Sequence, residues 1–246
     1  MFGFVENQMI YYPQPLESQT KAQLSPWEYV IPNGQINLHG WLIGNRNLKS
    51  DQIILYFGGN GEEVSFNVEY FNRLSNRKRT YALFNYRSYG ESEGLPSEKN
   101  LFSDALAIYD HLVEYEGVHP EQIHVMGRSL GSGVAVYLAS QRPLQSAVLV
   151  TPFDSLTNVV KHLFPLMPVD LLLRQKFESI SRAPLLRLPA LFLLAGLDKI
   201  VPPAHGEALA DKWLGQTEIV RLPNADHNNI FVFPEYWQHI EAFWTF

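Results

Sequence analysis

The sequence predicts an α/β protein whose mostly parallel central sheet is covered by helices on both faces. Short apolar runs typical of buried strands alternate along the chain with segments of helical periodicity, and this alternation favours a parallel sheet. The length of 246 residues favours one domain spanning 1–246. A hydrophobic content of 46% is enough to build the core of such a domain.

The first predicted elements form an antiparallel hairpin. Residues 27–31 and 36–43 have β-like composition, and the turn between them is Pro32-Asn33-Gly34, in which Asn-Gly is a strong hairpin signal. The next strand, 53–57, is continuously apolar, as a buried parallel strand would be. The later predicted elements alternate along the chain: strands at 81–84, 122–126, 147–150, 190–194 and 217–222, with helices at 64–74, 97–116, from the Ser129 turn to about 140, and from about 234.

Residues 152–188 interrupt this alternation. Pro165, Pro168 and Pro184 punctuate the stretch. Its apolar side chains form one helical face that comprises Leu156, Val159, Val160, Leu163 and Phe164. A connection this long is either functional or a small helical cap insertion. It packs on the sheet, lines an acyl pocket, or does both. The candidate lining residues of a substrate pocket are Leu163, Phe164 and Met167.

Composition argues against several classes of function. The net charge is −6 and charged residues make up 18%, which disfavours nucleic-acid binding. The absence of cysteine excludes disulfides and thiol chemistry. No apolar run approaches the roughly 18 residues of a membrane span, and residues 1–6 lack the features of a signal peptide. A cytoplasmic protein without a membrane span is expected; peripheral membrane contact stays possible, and the oligomeric state is not indicated.

The candidate nucleophile is Ser129. It lies in Gly127-Arg128-Ser129-Leu130-Gly131, directly after a predicted strand and before a predicted helix. In that setting Gly-x-Ser-x-Gly describes a serine held on a strained strand-to-helix turn, with glycines where side chains would collide. No lysine follows the last glycine, which disfavours a phosphate-binding loop. A glycine-rich helix start without chemistry is the other interpretation.

A serine nucleophile needs a general base, and the base needs an orienting carboxylate. With this motif the order along the chain is serine, acid, histidine. Asp198 follows the strand 190–194 and His227 follows the strand 217–222, both in loops at the carboxyl edge of the sheet, where catalytic groups gather. The rival acids are Asp226 and Asp154. Of eight histidines only His227 has the required order and loop placement, although Asp198 could instead cap a helix starting near Pro203.

Acyl transfer also requires N–H donors for the developing oxyanion. One candidate is the backbone N–H of Leu130, which follows the nucleophile at the positive end of its helix. The second should come from the loop after the strand 53–57, where Gly58-Gly59-Asn60-Gly61 permits close backbone approach. We assign it to Asn60, with Gly59 or Gly61 as alternatives.

Several further segments carry a family resemblance. They are 56–61, Asn85-Tyr86-Arg87-Ser88-Tyr89-Gly90-Glu91-Ser92-Glu93-Gly94, 127–133, 198–202 and His227-Asn228, which cover most of the chain from about residue 50. With them the chain resembles the α/β-hydrolases, and within that superfamily the serine hydrolases grouped with the bud-emergence-type proteins and the protein depalmitoylases. It departs from the pattern at Gly58, where many relatives carry His, and at Ser88, where Gly is common.

The resemblance implies a triad of Ser129, Asp198 and His227, with an oxyanion hole at Asn60 and Leu130. It implies that Arg87 supports its loop, with substrate contact as the alternative. The leading hypothesis is hydrolysis of an ester or thioester of a small-molecule or acyl substrate, with no metal or other cofactor. Alternatives are a peptidase, a lipid acyl-hydrolase, a lyase or a perhydrolase on the same triad, and a non-catalytic binding protein, since a fold does not determine a reaction.

Overall fold

One eight-stranded sheet runs through the part of the chain that the computed structural model describes, residues 7, 10–49, 51–74 and 78–244. The strands are β1 (Glu28–Asn33), β2 (Ile36–Gly44), β3 (Gln52–Phe57), β4 (Arg79–Phe84), β5 (Ile123–Arg128), β6 (Ser146–Val150), β7 (Ala190–Ala195) and β8 (Thr217–Leu222). Their order across the sheet is β1-β2-β4-β3-β5-β6-β7-β8. β2 is antiparallel to both of its neighbours, and the other pairings are parallel.

Helices connect most of these strands. Those with described bounds are α1 (Ser18–Leu24), α2 (Val68–Arg73), α3 (Glu98–Glu114), α4 (Leu130–Gln141), α5 (Leu156–Leu163), α6 (Val169–Leu172), α7 (Pro203–Lys212) and α8 (Pro234–Phe243). Short 3-10 turns cover Ser25–Trp27, Val64–Asn67, Pro120–Gln122, Ala183–Leu185 and Ile230–Val232. None of these helices has the length and apolar character needed for a membrane crossing. Residues 1–6, on which the signal-peptide expectation rests, lie outside the described residues.

The core consists of two apolar layers, one on each face of the sheet. Because successive side chains of a strand point to opposite faces, Ile53 and Leu55 of β3 enter one layer and Ile54 and Tyr56 the other. Residues of α3, α4 and α7 complete the first layer, and residues of α2 and α8 complete the second. The predicted α/β class, with helices on both faces of a mostly parallel sheet, is confirmed.

The predicted hairpin forms, but its turn lies further along the chain than the sequence indicated. Pro32 and Asn33 still belong to β1, and Asn33 pairs with Ile36, so the connection is Gly34-Gln35. Gly34 takes the positive φ of 65° that a two-residue connection requires. The side chain of Asn33 donates to Asp104 on α3 at 2.7 Å, which favours its place in the strand over the turn.

The segment between β6 and β7 contains α5, α6 and a 3-10 turn. Backbone hydrogen bonds from Leu156 to Lys176 and from Ile180 to Asp154 close its base. The residues of the predicted single apolar face are not all buried in the structure. Val159 is buried, whereas Leu163 and Phe164 are 42% and 53% exposed. α5 ends at Leu163, so Phe164 lies beyond the helix and does not continue its buried face.

Candidate active site

Ser129 occupies a sharp turn between β5 and α4. Its backbone has φ 50° and ψ −115°, a left-handed conformation that costs free energy for any residue except glycine. The flanking glycines allow this approach. A Cβ on Gly127 would overlap the backbone oxygen of Gly131, and a Cβ on Gly131 would overlap that of Phe57 and lie 2.6 Å from that of Gly58. The strand-to-helix turn that the motif predicts is therefore present.

The three predicted catalytic residues meet at the carboxyl edge of the sheet. Nε2 of His227 lies 2.9 Å from Oγ of Ser129, and Nδ1 of His227 lies 2.6 Å from Oδ2 of Asp198. Asp198 and His227 are buried, and His227 is held by the loop after β8. The imidazole is thus placed to accept the serine proton while its other nitrogen donates to a carboxylate.

Backbone donors hold the Asp198 carboxylate in place. Its Oδ1 accepts from the N–H groups of Ile200 and Val201 at 2.9 and 2.8 Å, which leaves Oδ2 for His227. The N-terminal cap of α7 is Pro202, so Asp198 bonds within its own loop.

The two rival acids have other partners. Asp226 accepts from the N–H groups of Asn228 and Asn229 at 2.8 and 3.0 Å and so stabilises the turn beside His227. Asp154 lies 2.8 Å from Nδ1 of His205. Burial opposes its ionisation, but hydrogen bonds from His205, Asn158 and Ser155 outweigh that effect and lower the pKa of Asp154.

Two backbone N–H groups are the candidate donors of an oxyanion hole. Leu130 is the first residue of α4, so its N–H has no partner within the helix. In the opposite loop the Asn60 side chain is fully engaged: Oδ1 accepts from Tyr12 N and the Tyr89 hydroxyl at 3.1 and 2.8 Å, and Nδ2 donates to Ile10 O. Any donor from Asn60 is therefore its backbone N–H.

The glycine alternatives in this loop have their N–H groups committed elsewhere. The N–H of Gly59 donates to Oε2 of Glu62 at 2.9 Å, and that of Gly61 is directed at the Tyr89 hydroxyl. For the backbone N–H of Asn60, no described group acts as acceptor. The loop therefore favours Asn60 over Gly59 and Gly61.

Sequence reasoning missed a buried ion pair beside the triad. Nη1 of Arg128 lies 2.7 Å from Oε2 of Glu62, and Nη2 donates to the backbone oxygen of His227 at 3.1 Å. Burial opposes the positive charge, but Glu62 outweighs it and raises the pKa of Arg128. Arg128 was visible inside the serine motif, yet no sequence pattern links it to Glu62, 66 positions away.

The Arg87 side chain points to a structural partner. Its guanidinium makes a bidentate pair with Asp104 of α3, at 2.8 Å from Nε to Oδ2 and 2.7 Å from Nη2 to Oδ1. The next residue, Ser88, has a φ of 67°, which explains why glycine suits that position. Its Oγ donates to the Gly94 carbonyl at 2.6 Å and so holds the loop closed.

Two cavities flank the site. One of about 380 Å³ adjoins His227 and is lined by Leu197, Lys199, Ile200, Asp226 and Asn228. A larger one of about 520 Å³ opens behind the Asn60 loop, where Glu62 and Arg128 border it together with aromatic side chains, and it reaches neither Ser129 nor His227. The smaller cavity is therefore the one with access to the triad. Leu163, Phe164 and Met167, the predicted pocket residues, line neither cavity.

One cluster outside the triad has metal-ligand side chains. Glu28, His39 and Glu91 bring three potential ligand atoms within 4.8 Å of one another. The ammonium of Lys21 lies 2.6 Å from Glu91 and 3.9 Å from Glu28, so a resident cation already compensates these carboxylates. The cluster does not include any triad residue.

Comparison with known sequences finds relatives that cover most of this chain, while no family model matches it. An uncharacterized protein of Mycobacterium tuberculosis, Rv2307c, is 32% identical over 227 residues, which cover 91% of this chain and 81% of that protein. The alpha/beta hydrolase domain-containing protein WAV2 of Arabidopsis thaliana is 27% identical over 78% of this chain and 68% of its own length.

Comparison with solved structures points to the same architecture. An alpha-beta hydrolase from Vibrio vulnificus superimposes with a TM-score of 0.78, over 97% of this chain and 92% of that one. The two sequences are 19% identical, so this likeness concerns the fold.

Proposed function

Since this chain belongs to the α/β-hydrolase superfamily, we propose that it is a serine hydrolase that cleaves a carboxylic ester or thioester through an acyl intermediate on Ser129. The observation that carries the proposal is the hydrogen-bonded series from Asp198 through His227 to Ser129, with separations of 2.6 and 2.9 Å. A strained backbone at the serine supports it, since such strain is concentrated at functional sites.

Acylation begins when His227 takes the hydroxyl proton of Ser129 and Oγ attacks the substrate carbonyl carbon. The carbonyl oxygen becomes an oxyanion, which the N–H groups of Leu130 and Asn60 stabilise. As the intermediate collapses, the bond from carbon to the leaving oxygen or sulfur breaks, and His227 returns the proton to that atom. Asp198 orients the imidazole throughout and stabilises its protonated form.

Deacylation repeats these steps with water as the nucleophile. His227 takes a proton from water as the water oxygen attacks the acyl carbon. The same two N–H groups receive the second oxyanion. Collapse breaks the bond to Oγ, His227 returns the proton to Ser129, and the carboxylic acid product leaves. Every proton is passed by His227, so the cycle uses only this chain and water.

The surroundings of the triad favour an apolar acyl group. Leu197 and Ile200 border the cavity next to His227 and are 58% and 41% exposed. The rings of His162 and His205 lie 6.2 Å apart, which places the end of α5 beside the start of α7, the helix that follows the Asp198 loop. Leu163, Phe164 and Met167 add exposed apolar surface from that side. We propose that the acyl chain lies along these residues.

The test compares the wild-type protein with Ser129→Ala. Activity is measured on p-nitrophenyl esters of graded chain length, on acyl thioesters and on aminoacyl amides, together with labelling by a fluorophosphonate probe. We expect the wild type to be labelled and to cleave esters or thioesters, and Ser129→Ala to lose labelling and on the order of 10⁶ in turnover.

The outcomes separate the competing functions. Faster cleavage of the amides than of the esters would replace the proposal with a peptidase. Equal turnover in wild type and Ser129→Ala would remove Ser129 as nucleophile. A folded wild type that neither reacts with the probe nor turns over any member of the panel would identify a binding protein on a hydrolase scaffold.

A further inference from the structure

The Glu62 carboxylate accepts hydrogen bonds from four donors around the site. Oε2 accepts from the N–H of Gly59 at 2.9 Å and from Nη1 of Arg128 at 2.7 Å. Oε1 accepts from the hydroxyl of Tyr56 at 2.6 Å and from Nδ2 of Asn67 at 2.5 Å. A carboxylate offers about four acceptor positions, so these four donors satisfy it. The side chain is 10% exposed, which makes each of these bonds costly to break.

Arg128 extends this network to the other catalytic segments. It immediately precedes Ser129, and its Nη2 donates to the backbone oxygen of His227 at 3.1 Å. Its guanidinium also lies 5.8 Å from the ring centre of Phe231, beyond the His227 loop. A planar guanidinium can hold two partners in fixed directions, which an ammonium cannot. One side chain thus joins the nucleophile turn, the histidine loop and, through Glu62, the oxyanion loop.

The contact between Glu62 and Gly59 engages the N–H of the glycine that lies beside the nucleophile. Gly59 is close to the serine, since a Cβ built on it would lie 3.7 Å from the Cβ of Ser129. Its N–H is nevertheless directed at Glu62, and the N–H of Asn60 is the next one along the loop. Oxyanion donors need to lie about 2.7–3.1 Å from the position of the oxyanion, so a small tilt of this loop would weaken one donor.

We propose that Glu62 and Arg128 are positioning residues. Together they hold the Asn60 N–H in the oxyanion hole and fix its position relative to Ser129 and His227. This inference rests on the proposed serine-hydrolase function. Neither side chain contacts the reacting atoms. The pair acts through the backbone of the loops that it joins, and its loss should therefore reduce the stabilisation of the transition state more than the binding of substrate.

The test measures kcat and KM for a short-chain ester, together with the affinity of an alkylboronic acid, whose serine adduct places a B–O group in the oxyanion hole. For Glu62→Ala we expect kcat to fall by about 10²-fold with KM changed less than 3-fold, since losing one oxyanion donor has effects of this size. Boronate affinity should fall in parallel with kcat, because both depend on the same donor.

Glu62→Gln provides the conservative rescue. Its amide oxygen can still accept from Gly59 and Arg128. Its amide N–H groups can donate to the Tyr56 hydroxyl, which can rotate to accept, and to the Asn67 side chain, whose amide can turn over to present its oxygen. We expect kcat within about 10-fold of wild type. Asp110→Ala is the matched control, because Asp110 forms a bidentate pair with Arg142, at 2.7 and 2.8 Å, without contacting the triad. Its kcat and boronate affinity should equal those of the wild type.

Failure of the positioning role of Glu62 and Arg128 is distinguishable from failure of the proposed function. An inactive, unlabelled wild type would refute the function itself. With an active wild type, a folded Glu62→Ala that keeps kcat and boronate affinity within 3-fold would overturn the positioning role. If Glu62→Ala does not fold, Arg128→Lys decides: its single nitrogen cannot reach both Glu62 and the His227 oxygen, so kcat should fall about 10-fold at constant KM. An unchanged kcat would refute the proposal.

Discussion

Nε2 of His227 lies 2.9 Å from Oγ of Ser129, although 98 positions separate the two residues in the chain. The sheet brings them together. Ser129 follows β5, Asp198 follows β7 and His227 follows β8, and these parallel strands end at one edge. Hydrogen bonds from Gly196 N to Leu222 O and from Leu197 N to Ala225 O, both 2.8 Å, tie the acid loop to the histidine loop. The distances between the three side chains are therefore set by the edge of the sheet at which their strands end.

Asp198→Asn should lower kcat by about 10⁴-fold while the fold is kept. The asparagine oxygen can still accept from the N–H groups of Ile200 and Val201, which leaves its amide N–H facing Nδ1 of His227. The imidazole must then accept at Nδ1 and carry its proton on Nε2, where it cannot take the proton of Ser129. Steady-state kinetics on the best ester, with the unfolding midpoint as a check on folding, measures this effect.

Asp226→Asn is the matched control for that substitution. Asp226 is adjacent to His227 in sequence, but its carboxylate accepts from Asn228 and Asn229. We expect kcat within about 5-fold of wild type, because the hydrogen bond to Nδ1 is untouched. A loss as large as that of Asp198→Asn would mean that Asp226 is the functional acid.

Gly131→Ala should destabilise the protein by about 3 kcal/mol, because overpacking against backbone cannot be relieved by a rotamer change. The added Cβ would overlap the backbone oxygen of Phe57 and lie 2.6 Å from that of Gly58. Urea unfolding measures the change in the free energy of unfolding. The same collision displaces the loop that carries Asn60, so kcat should fall as well.

Gly133→Ala, two residues along α4, isolates the role of the backbone collision. There the added Cβ would meet side-chain atoms of Phe153 and Phe177 at 3.0 and 3.1 Å, which can yield. The gain in helix propensity, about 1 kcal/mol, offsets part of that strain. We expect a change within about 1 kcal/mol. Equal destabilisation by the two substitutions would contradict the close approach of α4 to the oxyanion loop.

His124 should make the protein acid-sensitive. Burial, with a smaller effect of Arg79, lowers the pKa of His124 to about 4 from an ordinary 6.5. Between these values the unfolded chain binds a proton that the folded chain does not. The free energy of unfolding therefore falls as pH decreases through that window, by at most about 3 kcal/mol, and this contribution is constant above and below it.

Urea unfolding at pH 7.5 and pH 4.5 measures this dependence in the wild type and in His124→Gln. We expect the difference between the two pH values to be about 2–3 kcal/mol smaller in the variant. His119→Gln makes the same chemical change at an exposed histidine and should keep the wild-type dependence. If His124→Gln and wild type change in parallel, His124 is not the group that loses stability in acid.

The sequence pointed to the candidate catalytic residues because each one follows a strand with a strong apolar pattern. Ser129, Asp198 and His227 could be ordered along the chain from the motif and from strand ends alone. It did not show that the side chain of Asn60 is engaged by Tyr12 and Tyr89, which leaves the backbone N–H as the candidate donor of this residue. Nor did it reveal Glu62, whose partners come from separate elements.

The segment between β6 and β7 also shows what the sequence pattern could not predict. Periodicity placed Val159 and Leu163 on one apolar face, but only the ends of α5 and its contacts decide that the first is buried and the second exposed. The hairpin turn also lies later in the chain than predicted, since the pairing of Asn33 with Ile36 places the connection at Gly34-Gln35. Local pattern gives the type of an element, whereas packing decides its ends.

By itself the sequence determined the α/β class, the alternation of strands and helices, and the chain order of the candidate nucleophile, acid and base. These follow from local periodicity and from residue types that a strained turn tolerates. Only the tertiary structure decided which N–H groups beside Ser129 already have partners and how Glu62 and Arg128 join three loops. Those relations depend on contacts of a few tenths of an ångström between segments far apart in the chain, which the packed sheet creates and no local pattern encodes.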